Sequence, residues 1–150
     1  MDSTMSDVYI VEKELSYLIM QVAFEVHNAL GQGFPEAIYD EAMSRELARR
    51  NIDLERQKRV RVFFKDEPIG EFVLDNIANG RVILEYKAVS EIAKIHEQQA
   101  LSYLKATGLE LAIVNNFGAE RVQSSRVVYK KGKANFPSRI PRPRNLLQND

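Results

Sequence analysis

Apolar residues recur along the first part of the chain at Val11, Leu15, Leu18, Ile19, Val22, Val26 and Leu30. This spacing paints one stripe on a helix, and Gly31 and Gly33 should end it. Pro35 suits a first-turn position, and Ala37, Ile38, Met43 and Leu47 repeat at three- and four-residue intervals, predicting a second helix to about Arg50 that Asn51 stops. The period then changes. Val60, Val62 and Phe64 alternate with charged or solvent-tolerant neighbours, Asp66-Glu67-Pro68 reads as a turn, and a second alternating run passes through Val73 to Asp75. Asn79-Gly80 signals another turn before Val82-Ile83-Leu84, and an amphipathic helix should span roughly Ile92 to Thr107, closed by Gly108. Leu109 to Val114 is nearly continuously apolar, as in a strand covered on both faces and parallel to the one before the helix. A last strand fits Ser124 to Tyr129. The order ααβββαββ predicts an α/β fold, a mixed central β-sheet flanked by helices.

Composition narrows the setting. With 150 residues, 45% hydrophobic and 28% charged, the chain has room for one core, so residues 1–130 are expected to form a single domain. Residues 131–150 read as a basic tail: Lys130 to Asn149 holds six basic residues and no acid, and Pro137, Pro141 and Pro143 should break any regular element and leave it mobile. A solvated tail is the plain reading and a phosphate contact the sharper one. Basic and acidic residues both number 21, so no global field draws in a polyanion, and any such partner must be held by a local patch or a metal. There are no cysteines, which excludes disulfides, thiolate metal sites and cysteine nucleophiles. Met1 to Asp7 shows no signal-peptide core, and no run approaches the ~20 apolar residues of a membrane span. A cytoplasmic protein without membrane contact is the expectation.

The chemistry concentrates in Asp75 to Lys87. Glu85-Tyr86-Lys87 is the one acidic-x-Lys triplet in the chain, and strand alternation puts Glu85 and Lys87 on one face. Whether Asp75 joins them depends on register. A two-residue turn at Asn79-Gly80 would set Asp75 opposite Leu84 and point it away, whereas a three-residue loop, Ala78-Asn79-Gly80, would set it opposite Ile83 and gather all three charges. Asn-Gly suits either, and the bulged loop is preferred because the alternative leaves Asp75 without a partner. Two carboxylates on adjacent strands make a hard-oxygen site suited to Mg²⁺ or Mn²⁺, with waters and a substrate phosphate completing the shell. Lys87 would then stabilise developing oxyanion charge or position water. A surface hairpin with ordinary charges is the plain alternative. Gln99 and Tyr103 share a helix face with Ile92 and Ile95 that should meet the sheet. A glutamine there needs partners, which the backbone, a water, a metal ligand or a phosphate oxygen near Glu85 would supply.

Gly33-Phe34-Pro35-Glu36-Ala37-Ile38-Tyr39 spells GxxExxY, and the chain resembles the small prokaryotic GxxExxY family. Glu25 to Gly31, the Asp75 to Lys87 hairpin, His96-Glu97-Gln98-Gln99, Tyr103 to Gly108 and Asn116-Phe117-Gly118 also resemble its blocks, in its order, over roughly residues 14–130. That family is placed in the PD-(D/E)xK nuclease-like superfamily. The resemblance implies a restriction-endonuclease-like core with Asp75, Glu85 and Lys87 as signature residues and Glu36 as the acidic residue from the early helix, giving Glu36, Asp75 and Glu85 as metal ligands. Gln99-x-x-x-Tyr103 is similar to a motif that follows the signature in exonuclease branches. Leu74 stands where the superfamily name has Pro, and Tyr86 replaces an aliphatic residue. Its ring should face away from the metal, into the opposite side of the sheet.

Other residues weigh less. His27 reads as a hydrogen-bonded, partly buried histidine. His96, in the first turn of the third helix, reads as a cap or surface group that can reach a phosphate. Tyr39 reads as an anchor for the second helix. Arg56, Lys58, Arg59 and Arg61 are explained by an edge strand guarded against aggregation, and more sharply as a track for a nucleic-acid backbone. The expected function is hydrolysis of phosphodiester bonds in DNA or RNA, with Asp75, Glu85, Lys87 and Gln99 catalytic and Tyr103, Arg59, Arg61 and His96 on the substrate. The competing expectation is a catalytically silent module that binds a protein or nucleic-acid partner. A domain this small has little surface for recognition, so an active form is also expected to draw on a protein partner or a homo-oligomer to present substrate.

Overall fold

The computed structural model describes residues 12–130, together with the backbone of residues 133–135 and 139–140. The reading of Met1 to Asp7 and most of the reading of the tail lie outside the described residues.

Among the described residues, three helices and seven strands follow in chain order. Helix α1 (Lys13–Leu30) buries Leu15, Ile19, Val22, Ala23 and Val26, the stripe its sequence spacing predicts. Its amide ladder ends at Gly31, which adopts φ 69 where a side chain would be strained. Helix α2 (Glu36–Arg49) buries Tyr39, Met43 and Leu47, and Pro35 stands as its N-cap, one position earlier than a first-turn proline. Strands β1 (Leu54–Phe64), β2 (Glu67–Ala78) and β3 (Val82–Lys87) form an antiparallel meander, helix α3 (Lys94–Thr107) crosses over, and β4 (Leu111–Asn116) pairs parallel to β3. Strand β5 (Gln123–Lys130) returns antiparallel to β4. Short strands β6 (Lys133–Asn135) and β7 (Arg139–Ile140) both pair with β5, so part of the stretch expected to lack regular structure joins the sheet.

The sheet divides two apolar clusters. On one side Leu84, Tyr86, Leu111, Ile113 and Phe117 pack against α1 and α2. On the other, Leu74, Ile77, Ile83, Ala112 and Val114 pack against Ala100, Tyr103 and Leu104 of α3. The central strands are covered on both faces, which is why β4 reads as an unbroken apolar run. No described helix is long and apolar enough to cross a membrane.

Three local expectations are corrected. The first hairpin turns at Lys65-Asp66, with φ 49 and 67, so Glu67 and Pro68 already belong to β2 and the strand before the turn is longer than its alternation suggested. The second hairpin loop is Asn79-Gly80-Arg81, because Ala78 pairs with Val82, Ile77 with Ile83 and Asn76 with Leu84. Asn79 and Gly80 take the positive φ values of a tight turn, 53 and 65, closed by Arg81 N–H donating to the Ala78 carbonyl, and Arg81 is the extra residue. Finally, α3 lies rotated from its expected phase. Ile95 is 64% exposed and Gln99 is also exposed, while Glu97, Ala100, Tyr103 and Leu104 turn inward. A charged residue faces the sheet here because the Ser125 hydroxyl of β5 donates to the Glu97 carboxylate.

Candidate active site at a strand fork

The β2–β3 ladder runs only through Asn76–Leu84, Ile77–Ile83 and Ala78–Val82, after which the two strands part. Continued one step, that register sets Asp75 level with Glu85. The parity is that of the bulged loop, displaced by one residue along each strand, so Asp75 does join Glu85. Side chains replace the ladder at this point. Asp75 N–H donates to Glu85 Oε2 at 3.2 Å, and Tyr86 N–H donates to Asp75 Oδ2 at 3.1 Å. Each carboxylate therefore accepts a main-chain amide from the strand opposite, which holds both heads in the fork.

Burial and mutual repulsion govern their charge. Desolvation, reinforced by the Asp75 charge, pushes the Glu85 carboxyl up to about 9. Asp75 is also raised, chiefly by burial, against which the Tyr86 amide and the side-chain hydrogen bond with Glu85 pull it down. The two heads share a hydrogen bond, so the pair holds a proton near neutrality. Lys87, two residues past Glu85 on the same strand face, favours ionisation of both. Tyr86 points the other way, as its position between them requires, and its ring packs 6.2 Å from that of Phe117.

Helix α2 closes one side of the fork. Glu36, its first residue, is raised by desolvation, with Lys87 opposing and Asp75 and Asp40 adding to the rise. One turn on, Asp40 accepts from the Asn76 amide at 3.1 Å and lies 3.5 Å from Arg56. Sequence reasoning missed Asp40, although an acid four residues after Glu36 on one helix face was the signal for it. Helix α3 closes the other side. Tyr103 is pushed up to about 12 by burial and then by Glu85 and Asp75, which places its hydroxyl in their field. His96 is lowered by desolvation and by Lys87, and its Nδ1 accepts the Ala93 amide as a cap. Gln99 stands between them on the exposed rim of the same helix.

The loop after Lys87 is clamped by Asn116, Phe117 and Gly118, which the sequence reading singled out only as a block resembling the family's, with no structural role. Phe117 N–H donates to the Lys87 carbonyl at 2.8 Å, and the Asn116 amide both accepts from Val89 N–H and donates to the Val89 carbonyl, each at 2.9 Å. Gly118 packs so tightly that a Cβ there would come within 2.3 Å of the Val89 carbonyl oxygen. Two further residues support this corner structurally. Buried His27 donates through Nε2 to the Ala119 carbonyl at 3.0 Å. The Tyr39 hydroxyl donates to the Gly31 carbonyl at 2.5 Å, while its ring stacks 4.8 Å from Phe117.

Not every candidate converges. Arg59 and Arg61 are exposed on β1, opposite Val73 and Glu71, and Arg59 is paired with Glu71 at 2.9 Å. Among the described residues no three His, Cys, Asp or Glu side chains are gathered into a ready metal cage, so Glu36 is not brought together with Asp75 and Glu85 as a three-carboxylate set. The buried pair still fits a hard cation. Mg²⁺ needs only one or two carboxylates beside waters and substrate phosphate, and a dication relieves the repulsion that raises both groups.

A family model described as the PD-(D/E)XK nuclease superfamily matches residues 13–127. No curated protein and no solved structure matches the chain.

Proposed function

The chain belongs to the PD-(D/E)XK nuclease superfamily, and from that premise we propose that it hydrolyses phosphodiester bonds of DNA or RNA with Mg²⁺ or Mn²⁺ at the fork between β2 and β3. One observation carries this reading: Asp75 and Glu85 meet there, each held by the other strand's amide, with Lys87 on the Glu85 face. Asp75 and Glu85 would hold the cation, with Glu36 at the start of α2 adding negative charge nearby without completing a three-carboxylate set. When bound, the cation supplies positive charge against the scissile phosphate and lowers the cost of ionising water. Lys87 donates to a phosphate oxygen and stabilises charge as the bond breaks. Tyr103, Gln99 and His96 line the α3 wall and orient the strand, while Arg59 and Arg61 meet its phosphates. The Gly33 to Tyr39 heptad supports placement in the GxxExxY branch, since its glycine adopts φ 108, its glutamate faces the fork and its tyrosine anchors α2.

Lys87→Ala should lower cleavage of labelled oligonucleotides in Mn²⁺ by roughly 100-fold or more, the scale of losing one charge-stabilising donor. Parent and variant, purified in parallel to control for contaminating nuclease, cleaving at equal rates would sink the assignment. A second reading, a silent module with this fold, draws on the absence of a ready three-ligand cage among the described residues. It predicts an intact fold with no Mn²⁺ affinity, whereas the enzyme binds Mn²⁺ and loses it in Asp75→Ala.

A further inference from the structure

Beyond Asn76 the β1–β2 hairpin leaves the rest of the sheet and continues as a two-stranded ribbon to its turn at Lys65-Asp66. Its inner face rests on α3, where Phe72 meets Tyr103 edge-on at 4.9 Å and Val60 joins the apolar cluster. The ribbon's free end presents exposed apolar side chains beside its charged turn, with the Lys65 ammonium 5.4 Å from the centre of the Phe64 ring. Phe63 is 56%, Phe64 60% and Ile69 65% exposed.

The outer face is basic because β1 breaks its own alternation. Gln57 takes φ 50, and the strand pairs with β2 on both sides of it. Arg56, before the break, reaches Asp40 and Glu41 of α2, whereas Val60, after it, turns toward α3. Arg59 and Arg61, on the side opposite Val60, therefore continue the row that Arg56 begins beside the fork. Arg61 makes no ion pair with a described residue, and the pairs of Arg56 with Glu41 and of Arg59 with Glu71 are solvent-exposed and weak, hence readily exchanged for phosphates, while Asp40, which Arg56 also reaches, is largely buried. From Asp75 the row and the aromatic end lie along roughly 20 Å of strand, the reach of several nucleotides.

We propose that this ribbon is a platform for single-stranded nucleic acid. The arginine row tracks the backbone away from the fork, and Phe63 and Phe64 stack on unpaired bases. The inference rests on the nuclease reading for the polarity of the track toward the fork, and it names the substrate class as a single strand or a single-stranded end. A second copy is the disfavoured occupant: antiparallel pairing of two β1 edges would oppose their Arg56 to Arg61 stretches, like charge against like.

Fluorescence anisotropy in EDTA, with a labelled oligo-dT or oligo-rU of about 20 nucleotides and a blunt duplex of equal length, tests this without cleavage. The single strand should bind at least about tenfold more tightly than the duplex, and Phe63→Ala with Phe64→Ala should remove that preference while leaving duplex binding within about twofold. Arg59→Ala with Arg61→Ala should weaken both ligands and flatten the salt dependence. Equal affinity for the two ligands, or a phenylalanine variant that binds the single strand as the parent does, overturns the proposal. A parent dimer that becomes monomeric in that variant with nucleic-acid binding unchanged also overturns it and assigns the tip to self-association. Single-strand binding without cleavage leaves the platform standing while the nuclease reading fails, and cleavage without strand preference does the reverse.

Discussion

Glu85 shows how one buried carboxyl couples this site to stability. Its carboxyl titrates near 9 in the folded chain against 4.5 ordinarily, so the folded state holds the proton more tightly than the unfolded one. The favourable contribution is complete below about pH 4.5 and is lost progressively as pH rises toward 9. Glu85→Gln keeps an oxygen for the Asp75 amide and offers N–H to the Asp75 carboxylate, but has no charge to bury. In EDTA the variant should match the parent near pH 4 and exceed it by on the order of 2–3 kcal/mol at neutral pH, since each tenfold difference in proton affinity between the two states is worth about 1.4 kcal/mol. Urea titrations across that range check the slope, and parallel curves for the two proteins would refute the buried, protonated pair. The two groups differ in how far the sequence disclosed them. Alternation alone put Glu85 and Lys87 on one face, but Asp75 depended on a register that Asn79-Gly80 does not determine. Asn79 is fixed from outside the hairpin: its amide donates to the Asp53 carbonyl, and its side-chain oxygen accepts the Asp53 amide.

At the scale of elements, the segment linking β3 to α3 sets Lys87 because β4 and its following turn grip it. Asn116 is fully buried and spends its side chain on both polar atoms of the Val89 peptide, on Gly118 N–H and on Gln123 Oε1. Asn116→Ala takes the partner from these part-buried groups, and each group left unmet costs about 1–3 kcal/mol. A loss of roughly 3 kcal/mol or more is expected by denaturant unfolding, and a change within 1 kcal/mol would show that the clamp is dispensable. Such clamps are invisible to periodicity, because an asparagine in a strand reads the same whether it faces water or a neighbouring loop. The phase of α3 was hidden for a related reason. Ile92, Ile95, Gln99 and Tyr103 outline a plausible face, yet the buried face includes Glu97, whose Ser125 partner arrives from a strand distant in sequence. Helix stops at Gly31 and Gly108 were legible because their backbone conformation is a local requirement.

Across the whole molecule, a mixed sheet with helices on it is what the alternation of helix and strand patterns foretold, whereas the parting of β2 and β3 was not, and the charges of the chain balance to zero. With no net field, recognition must come from local groups, the carboxylates of the fork for a cation and the arginines of β1 for a polyanion. Metal binding should therefore appear as a coupled gain in global stability. At a free Mn²⁺ concentration 100-fold above Kd, linkage adds about 2.7 kcal/mol, or roughly 5–10 °C in Tm for a domain of this size. Metal and proton compete for the same pair, and Glu85 surrenders its proton only toward pH 9, so the shift should grow from pH 6 to pH 8.5. EDTA should reverse it, and Asp75→Asn should abolish it. An equal shift in Asp75→Asn would move the cation elsewhere on the protein. No shift at any pH, with the fold intact, would leave the fork as a protonated carboxyl pair and favour the silent module.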